Sequence, residues 1–209
     1  IITDLNSGKS IALVSDAGMP GICDPGEDLV KNVKNVGLNV ICIPGPCAPI
    51  IALVSSGLSG SRFIFEGFLP KKQSERKKIL FQISKNEQTS IFFESPHRLK
   101  ASLEELKEYC GGTKEIQVFR ELTKKYEEHI GETINEVLKF FKEKEVIGEV
   151  TIVVKGVNKN KKNAEFDRRE LKKELDELIN AGLSLSAASK YLAKKNNISK
   201  NLIYNLNQI

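Results

Sequence analysis

Apolar runs that end in turn residues dominate the first sixty positions of the chain. Residues 10–15 and 38–43 each form such a run, and each stops at a loop rich in Gly and Pro. This pattern predicts two buried strands whose carboxyl ends open into tight turns. A helix is predicted after each strand, the first beginning at Asp24 with Glu27 three residues on, and the second over residues 49–56. The strand–helix–strand–helix order predicts a parallel sheet, in which ligands bind at the carboxyl ends of the strands.

Alternating apolar and aromatic positions continue further along the chain and predict a second set of elements. Periodicity does not determine the order of these strands in a sheet. Strands are expected at 62–68, 89–93, 116–119, 127–130 and 150–154, with helices around 79–83, 99–106 and 134–141. The sequence therefore predicts an incomplete N-terminal α/β domain over residues 1–60 and a second α/β domain over residues 61–157.

Three short amphipathic segments follow a polar linker at residues 157–163. Apolar residues at helical spacing predict helices over 171–179, 186–194 and 199–207. Residues 164–209 are thus predicted to form a helical extension. The pattern fits a helix-turn-helix module and a helical cap on the main body equally well.

The composition is that of an ordinary globular protein, with 40% hydrophobic and 28% charged residues among 209. No apolar run reaches the roughly 18 residues that a membrane-spanning helix needs. The first ten residues lack the features of a signal peptide and are typical of the end of a helix that stops at Gly8. We therefore expect the chain to begin inside a larger fold.

The four cysteines form no C-x-x-C pair, so neither a zinc site nor a disulfide framework is favoured. No metal site is predicted. Free thiols and a cytoplasmic location are the simpler interpretation. The net charge of +5 is concentrated in two basic stretches at residues 71–78 and 155–162, which could be solvated surface or contacts to a polyanion.

Five motifs in series carry a resemblance to a known family. They are VSDAGMPGICDPG, PGPCA, RFIFEGFLP, FFESPHRL and RELTKKYEE, which begin at residues 14, 44, 62, 92 and 120. In this order and spacing they resemble the bacterial small-subunit ribosomal RNA (cytidine-2'-O-)-methyltransferases of the tetrapyrrole methylase superfamily. The resemblance covers about residues 10–157, and the C-terminal helices fit the usual extension of that family.

This resemblance implies two α/β domains of tetrapyrrole-methylase type with a cofactor cleft between them. It implies S-adenosylmethionine as cofactor, a homodimer, and methyl transfer to the ribose 2'-OH of a cytidine in small-subunit (16S) ribosomal RNA or the assembled 30S subunit. The family's first strand, its Gly-Thr-Pro-like first loop and a Glu-Asp-Thr-Arg-like segment have no counterpart here and would precede Ile1. The resemblance thus implies that the chain lacks the family's N-terminal segment.

Carried over position by position, the resemblance also implies site residues. Where Met19 stands the family usually has Thr, and where Cys23 and Cys47 stand it usually has Ser. The implied cofactor-binding residues are Val14, Ser15, Asp16, Met19, Cys47, Ala48, Phe93, Glu94 and Leu122.

A ribose hydroxyl is a poor nucleophile and would benefit from a general base. Glu94 and Lys124 are the preferred candidates, with His97 and Glu121 also near the expected cleft. The two glutamates could instead pair with neighbouring arginines. For RNA phosphates, the predicted contacts are Lys71, Lys72, Arg98 and Arg120.

Two other functions remain open from the sequence. One is methylation of a tetrapyrrole or another small substrate, which would use the same cleft. The other is an inactive RNA-binding or dimerisation fragment. A dehydrogenase is disfavoured because no G-x-G-x-x-G follows a strand.

Overall fold

The computed structural model describes residues 1–142, 144–157, 168–196 and 199–206. The chain divides into two compact units, Ile1–Val157 and Asn158–Ile209. The predicted domain boundary near residue 157 stays a prediction. A separate domain over residues 1–60 remains a prediction.

A five-stranded mixed sheet forms the centre of the first unit. β1 and β2 are parallel, and every other neighbouring pair is antiparallel. The order across the sheet is β1-β2-β5-β3-β4. The strands are β1 (Phe63–Phe68), β2 (Thr89–Glu94), β3 (Glu115–Arg120), β4 (Glu128–Thr133) and β5 (Val150–Val154). All five lie where the sequence predicts strands after residue 61.

Helices cover both faces of this sheet. The first unit contains α1 (Ile2–Asn6), α2 (Glu27–Asn35), α3 (Ala48–Ser55), α4 (Gln73–Lys85), α5 (Pro96–Cys110) and α6 (Ile134–Phe141). Apolar residues of α4, α5 and α6 share one core with Phe92 and Ile152, whereas Ala52 and Leu53 of α3 share another with Ile91. Successive strand residues point to opposite faces, so α3 lies on the face opposite the other three helices. The fully buried sequence of β5, VTIVV, follows from this two-sided cover.

The expected strands at residues 10–15 and 38–43 are wrong in this structure, because both segments are loops. Most of their apolar side chains are exposed, with Val14 at 81% and Ile41 at 85% of full exposure. A strand needs a neighbour to pair its N–H and C=O groups. Neither segment pairs with a strand of the five-stranded sheet. Their apolar pattern is therefore not sufficient to make them strands.

The predicted start of the first long helix is also corrected. α2 has Gly26 as its N-cap residue and no side-chain cap, so Asp24 does not cap it. Gly26 has a φ of +142°, and a Cβ there would lie 2.8 Å from Cδ2 of Leu13. Glycine therefore allows the close approach of the preceding loop.

The second unit contains three helices with their own apolar core. They are α7 (Arg168–Asn180), α8 (Leu185–Asn196) and α9 (Lys200–Asn205). Leu175, Leu192 and Ile203 lie in that core, one from each helix. The hydroxyl of Ser199 accepts the N–H of Leu202 and caps the last helix. Among the described helices, none is long and apolar enough to cross a membrane.

Candidate functional site

A cavity of about 590 Å³ lies at one edge of the sheet in the first unit. The carboxyl ends of β1, β2 and β3 meet the beginning of β5 at this edge, since β5 runs antiparallel to its neighbours. The loops at residues 16–19 and 46–49 form further walls. The volume is within the range that small-molecule and cofactor sites occupy.

The two loop walls of the cavity lie close to each other. Gly18 has a φ of +80°, and a Cβ there would lie 3.9 Å from the carbonyl oxygen of Pro46, so the two loops come close together. The Ser15 hydroxyl donates to the carbonyl of Ala17 and closes a local turn. These contacts hold the two loops in place at the cavity.

The loop after β3 is held in a strained conformation. Glu121 and Thr123 have positive φ values of 53° and 64°, which are costly for residues with a Cβ, most of all for β-branched threonine. The Glu121 N–H donates to the carbonyl of Glu149, and the Thr123 N–H donates to Glu127 at 2.6 Å. Such over-determined strain is concentrated at functional sites.

Lys124 lies between two carboxylates beside the cavity. Its ammonium is 3.2 Å from Glu121 and 3.0 Å from Glu149. Burial alone would lower the pKa of Lys124, but its hydrogen bonds to Glu149 and Glu121 outweigh burial and raise that pKa. The Glu149 N–H, which donates to the Glu121 carboxylate, holds the pKa of Glu121 below its usual range, and Lys124 adds to that effect. Lys124 is therefore a cation near neutral pH.

Glu94 lines the cavity, but its side chain is fully buried and held on three sides. One carboxylate oxygen accepts the N–H of Ser95 at 2.7 Å and lies 2.6 Å from the Arg98 guanidinium. The other accepts the hydroxyl of Ser102 at 2.5 Å. These contacts favour a structural role for Glu94 over a catalytic one. The role of general base stays a prediction for Glu94.

The two arginines predicted to contact RNA have protein partners. Arg98 also donates to the carbonyls of Leu69 and Pro70, both at 3.2 Å. Arg120 pairs with Glu128 at 3.0 Å and donates to the carbonyl of Ile147. Neither contributes to the cavity lining. Their assignment to RNA therefore remains a prediction.

Most of the predicted cofactor residues come together at the cavity. The lining includes Asp16, Met19, Cys47, Ala48, Phe93, Glu94, Leu122 and Lys124. Val14 and Ser15 lie just outside it. The predicted RNA contacts Lys71 and Lys72 are exposed and away from the lining.

Sequence reasoning missed Phe68, Thr123 and Glu149, which also line the cavity. Gly67 inside a strand pattern was a signal for a bulge beside Phe68. No local pattern marks Glu149, because its position follows from the pairing of β5 with β3.

Comparison with known proteins places this chain in a family. The family model for tetrapyrrole (corrin/porphyrin) methylases matches residues 1–138. The chain belongs to this family. Membership confirms the predicted α/β methylase fold, and the protein is an S-adenosylmethionine-dependent methyltransferase.

Within the tetrapyrrole methylases, the chain is similar to proteins named ribosomal RNA small subunit methyltransferase I. It is 42% identical to the one from Bacillus subtilis over 98% of this chain and 70% of the relative. It is 39% identical to the Synechocystis protein over 99% of this chain and 74% of the relative. The Haemophilus influenzae protein is 38% identical, with 98% and 72% covered.

Solved structures support the fold. The methyltransferase CobJ matches with a TM-score of 0.57 and 18% identity, over 75% of this chain and 68% of CobJ. CbiF, a cobalt precorrin-4 methyltransferase, matches with a TM-score of 0.50 and 15% identity, over 66% of this chain and 61% of CbiF. At these identities the likeness concerns the fold alone.

Proposed function

We propose that this tetrapyrrole methylase family member transfers a methyl group from S-adenosylmethionine to the ribose 2'-OH of a cytidine in small-subunit (16S) ribosomal RNA. The observation that carries the proposal is a cavity of cofactor size at the strand ends of a chain 38–42% identical to three proteins named ribosomal RNA small subunit methyltransferase I. The free RNA or the assembled 30S subunit would be the substrate, in the cytoplasm, with the enzyme acting as a homodimer.

The lining of the cavity fits S-adenosylmethionine. The loops at residues 16–19 and 46–49 offer backbone groups for the polar ends of the cofactor, while Phe93 and Leu122 offer apolar surface. When bound, the cofactor supplies a methyl group that the positive sulfur has already activated. The protein's contribution is then largely to position the acceptor hydroxyl and to manage its proton.

Lys124 and Glu149 are suited to those two tasks. Lys124, held as a cation by its two carboxylates, would stabilise negative charge that develops on the ribose oxygen. Glu149 has a side chain that is 69% exposed at the same wall, and its carboxylate would accept the proton of the hydroxyl. Lys124 thus acts through its charge rather than as the general base that the sequence suggested.

Lys71 and Lys72 would contact RNA phosphates, because both are exposed in the basic segment that follows β1. Arg98 would act as a positioning residue for that segment through the carbonyls of Leu69 and Pro70. In the second unit, residues 182–209 contain four lysines and no acidic residue, which supports additional affinity for RNA from the C-terminal helices.

Calorimetric titration with S-adenosylmethionine tests the cofactor site, and two cysteines offer a matched pair of variants. Cys47 lines the cavity, whereas Cys42 is exposed outside it. We expect Cys47→Trp to weaken binding at least tenfold, because the indole fills cavity space, and Cys42→Trp to leave it unchanged. Absence of binding by the unmodified protein would support an inactive fragment instead.

A further inference from the structure

We propose that Phe68 is the stacking platform for an unpaired nucleobase of the substrate RNA at the mouth of the cavity. This inference rests on the proposed function, since it assigns the subsite in which the acceptor nucleotide is held. Nothing in the sequence pattern or the family assignment gives Phe68 this role. Four features of the first unit support it.

A bulge at the end of β1 places Phe68 at the cavity. Phe65 is paired with Ile91 and Phe68 with Phe93, so β1 uses three steps where β2 uses two. Gly67 absorbs the extra residue with a φ of +66°, and a Cβ there would lie 3.2 Å from Sγ of Cys23. Bulges re-aim side chains, are rare between parallel strands, and occur beside active sites.

Aromatic neighbours support the Phe68 ring without covering it. The ring centroid lies 5.2 Å from that of Phe93, which in turn lies 5.1 Å from that of Phe65. Phe68 nevertheless stays 56% exposed while lining the cavity. An aromatic ring that is packed on one side and exposed on the other can stack on a nucleobase. Every base has a π-face, so such stacking does not depend on the base's identity.

The segment that follows Phe68 is fixed in place by two buried or half-buried arginines. Arg98 donates to the carbonyls of Leu69 and Pro70, and Arg76 donates to the carbonyl of Lys71 at 3.2 Å. Arg76 is itself held by Glu105 at 2.8 Å. The position of Phe68 relative to the next residues is therefore determined by a rigid network rather than by a free loop.

Exposed lysines come directly after the pinned segment. Lys71 and Lys72 are both exposed, and three residues of chain span at most about 10 Å from Phe68 to Lys71. An aromatic ring beside cationic side chains is the arrangement with which proteins bind single-stranded nucleic acid, through stacking and phosphate contacts together. In the proposed arrangement, the ring at the cavity would stack on the base while the lysines beyond the lining contact the neighbouring phosphates.

Phe81 provides a matched control for Phe68. It is 50% exposed on α4, contacts Tyr109 at a centroid distance of 5.9 Å, and does not line the cavity. Single exposed apolar residues are common, and Phe81 represents an exposed ring outside the cavity that has a lysine, Lys85, 5.3 Å from its centroid. The comparison therefore separates stacking from a general effect of removing an exposed ring.

The test measures methyl transfer to unmethylated small ribosomal subunits, S-adenosylmethionine binding by calorimetry, and fluorescence quenching of a short single-stranded RNA carrying one pyrrolocytidine. We expect Phe68→Leu to raise the KM for subunits roughly tenfold or more and to abolish the quenching, with unchanged cofactor affinity. Phe68→Tyr keeps an aromatic ring and should restore the quenching that Phe68→Leu loses, whereas Phe81→Leu should behave as the unmodified protein. Leucine keeps an apolar side chain at this exposed position, and equal urea unfolding midpoints of Phe68→Leu and the unmodified protein check that folding is retained.

Three outcomes would overturn the inference. Equal KM values for Phe68→Leu and the unmodified protein would show that Phe68 is not a base-stacking subsite, and the proposed function would stand. A loss of S-adenosylmethionine affinity in Phe68→Leu would assign the ring to the cofactor instead. If the unmodified protein binds cofactor but transfers no methyl group to subunits, the proposed function itself fails, and the inference fails with it.

Discussion

The guanidinium of Arg98 lies 2.6 Å from the fully buried carboxylate of Glu94, four residues earlier at the end of β2. The same guanidinium reaches the carbonyls of Leu69 and Pro70 after β1. This one side chain therefore joins the two parallel strands at the edge where the cavity lies. It links a buried anion to the placement of the proposed RNA-binding segment.

Removing Arg98 should cost stability and disturb that segment. We expect Arg98→Ala to lower the free energy of unfolding by about 3 kcal/mol, because Glu94 is left buried without its counter-charge. The KM for RNA should rise as well, since the carbonyls of Leu69 and Pro70 lose their donor. Urea unfolding checks the first effect, with Arg62→Ala at an exposed position as the control. Equal unfolding free energies for both variants would show that the pair contributes nothing.

Lys124 should affect turnover more than cofactor affinity. Loss of its charge in Lys124→Met is expected to lower kcat roughly a hundredfold, the usual cost of removing one donor that stabilises developing charge. Neighbouring Lys125, which is exposed and lies 5.5 Å from the ring of Tyr126, supplies the control Lys125→Met. Its kcat should match that of the unmodified protein.

The pH dependence separates the two possible roles of Lys124. Because the pKa of Lys124 is raised, its charged form persists through pH 7 to 9. If kcat depends on that charge, the titration of Lys124 should cause no change in kcat across this range. A lysine acting as a general base would give a rate that climbs tenfold per pH unit there. A slope of this kind that disappears in Lys124→Met would contradict the proposed role.

Several elements follow directly from local sequence. The capping box of Thr133 and Glu136 determines where α6 begins, and α6 occupies residues 134–141 as predicted. The strands after residue 61 have apolar periodicity together with partners to pair with. By contrast, the segments at 10–15 and 38–43 have the same apolar pattern without partners among the five strands, and pairing is a non-local property that periodicity does not contain.

The candidate site shows the same limit. The loops at residues 16–19 and 46–49 were found from turn residues at the ends of apolar runs. The cluster of Lys124 and Glu149 was not found, because its members are brought together only by the pairing of β3 with β5. The buried contacts of Glu94 with Arg98 were considered from the sequence, while its contact with Ser102 depends on the packing of α5.

The buried pair of Arg76 and Glu105 should make stability depend on acid pH. The hydrogen bond from Arg76 holds the pKa of Glu105 below its usual range, so the stabilisation is complete above the ordinary glutamate pKa and is lost as pH falls through the lower value in the folded protein. Glu105→Gln should cost about 3 kcal/mol at pH 7 and flatten the decline in stability as pH falls below the ordinary glutamate pKa.

Denaturant unfolding at several pH values tests this, with Glu108→Gln as control. Glu108 is 63% exposed and lies 4.0 Å from Lys77, so its loss should change stability by less than about 1 kcal/mol. A decline in Glu105→Gln as steep as in the unmodified protein would assign the acid sensitivity to other groups.

Any side chain at position 148 should disturb the cluster of Lys124, Glu121 and Glu149. Gly148 has a φ of +88°, and a Cβ there would lie 2.5 Å from Oε1 of Glu121. Gly148→Ala should therefore destabilise by more than about 1 kcal/mol and also lower kcat, as Glu121 shifts away from Lys124. Gly57 has a φ of +67° with open space around it, so Gly57→Ala should show the backbone cost alone. If the two variants change kcat equally, the effect of Gly148→Ala does not come from moving Glu121 away from Lys124.

The central claim is tested most directly by incubating the protein with S-adenosylmethionine and unmethylated small ribosomal subunits, and then identifying the modified nucleosides by mass spectrometry. We expect 2'-O-methylcytidine at one position of the small-subunit RNA, formed only when cofactor and protein are both present. Cofactor binding without any methylated nucleoside, together with methyl transfer to an added tetrapyrrole, would contradict the account.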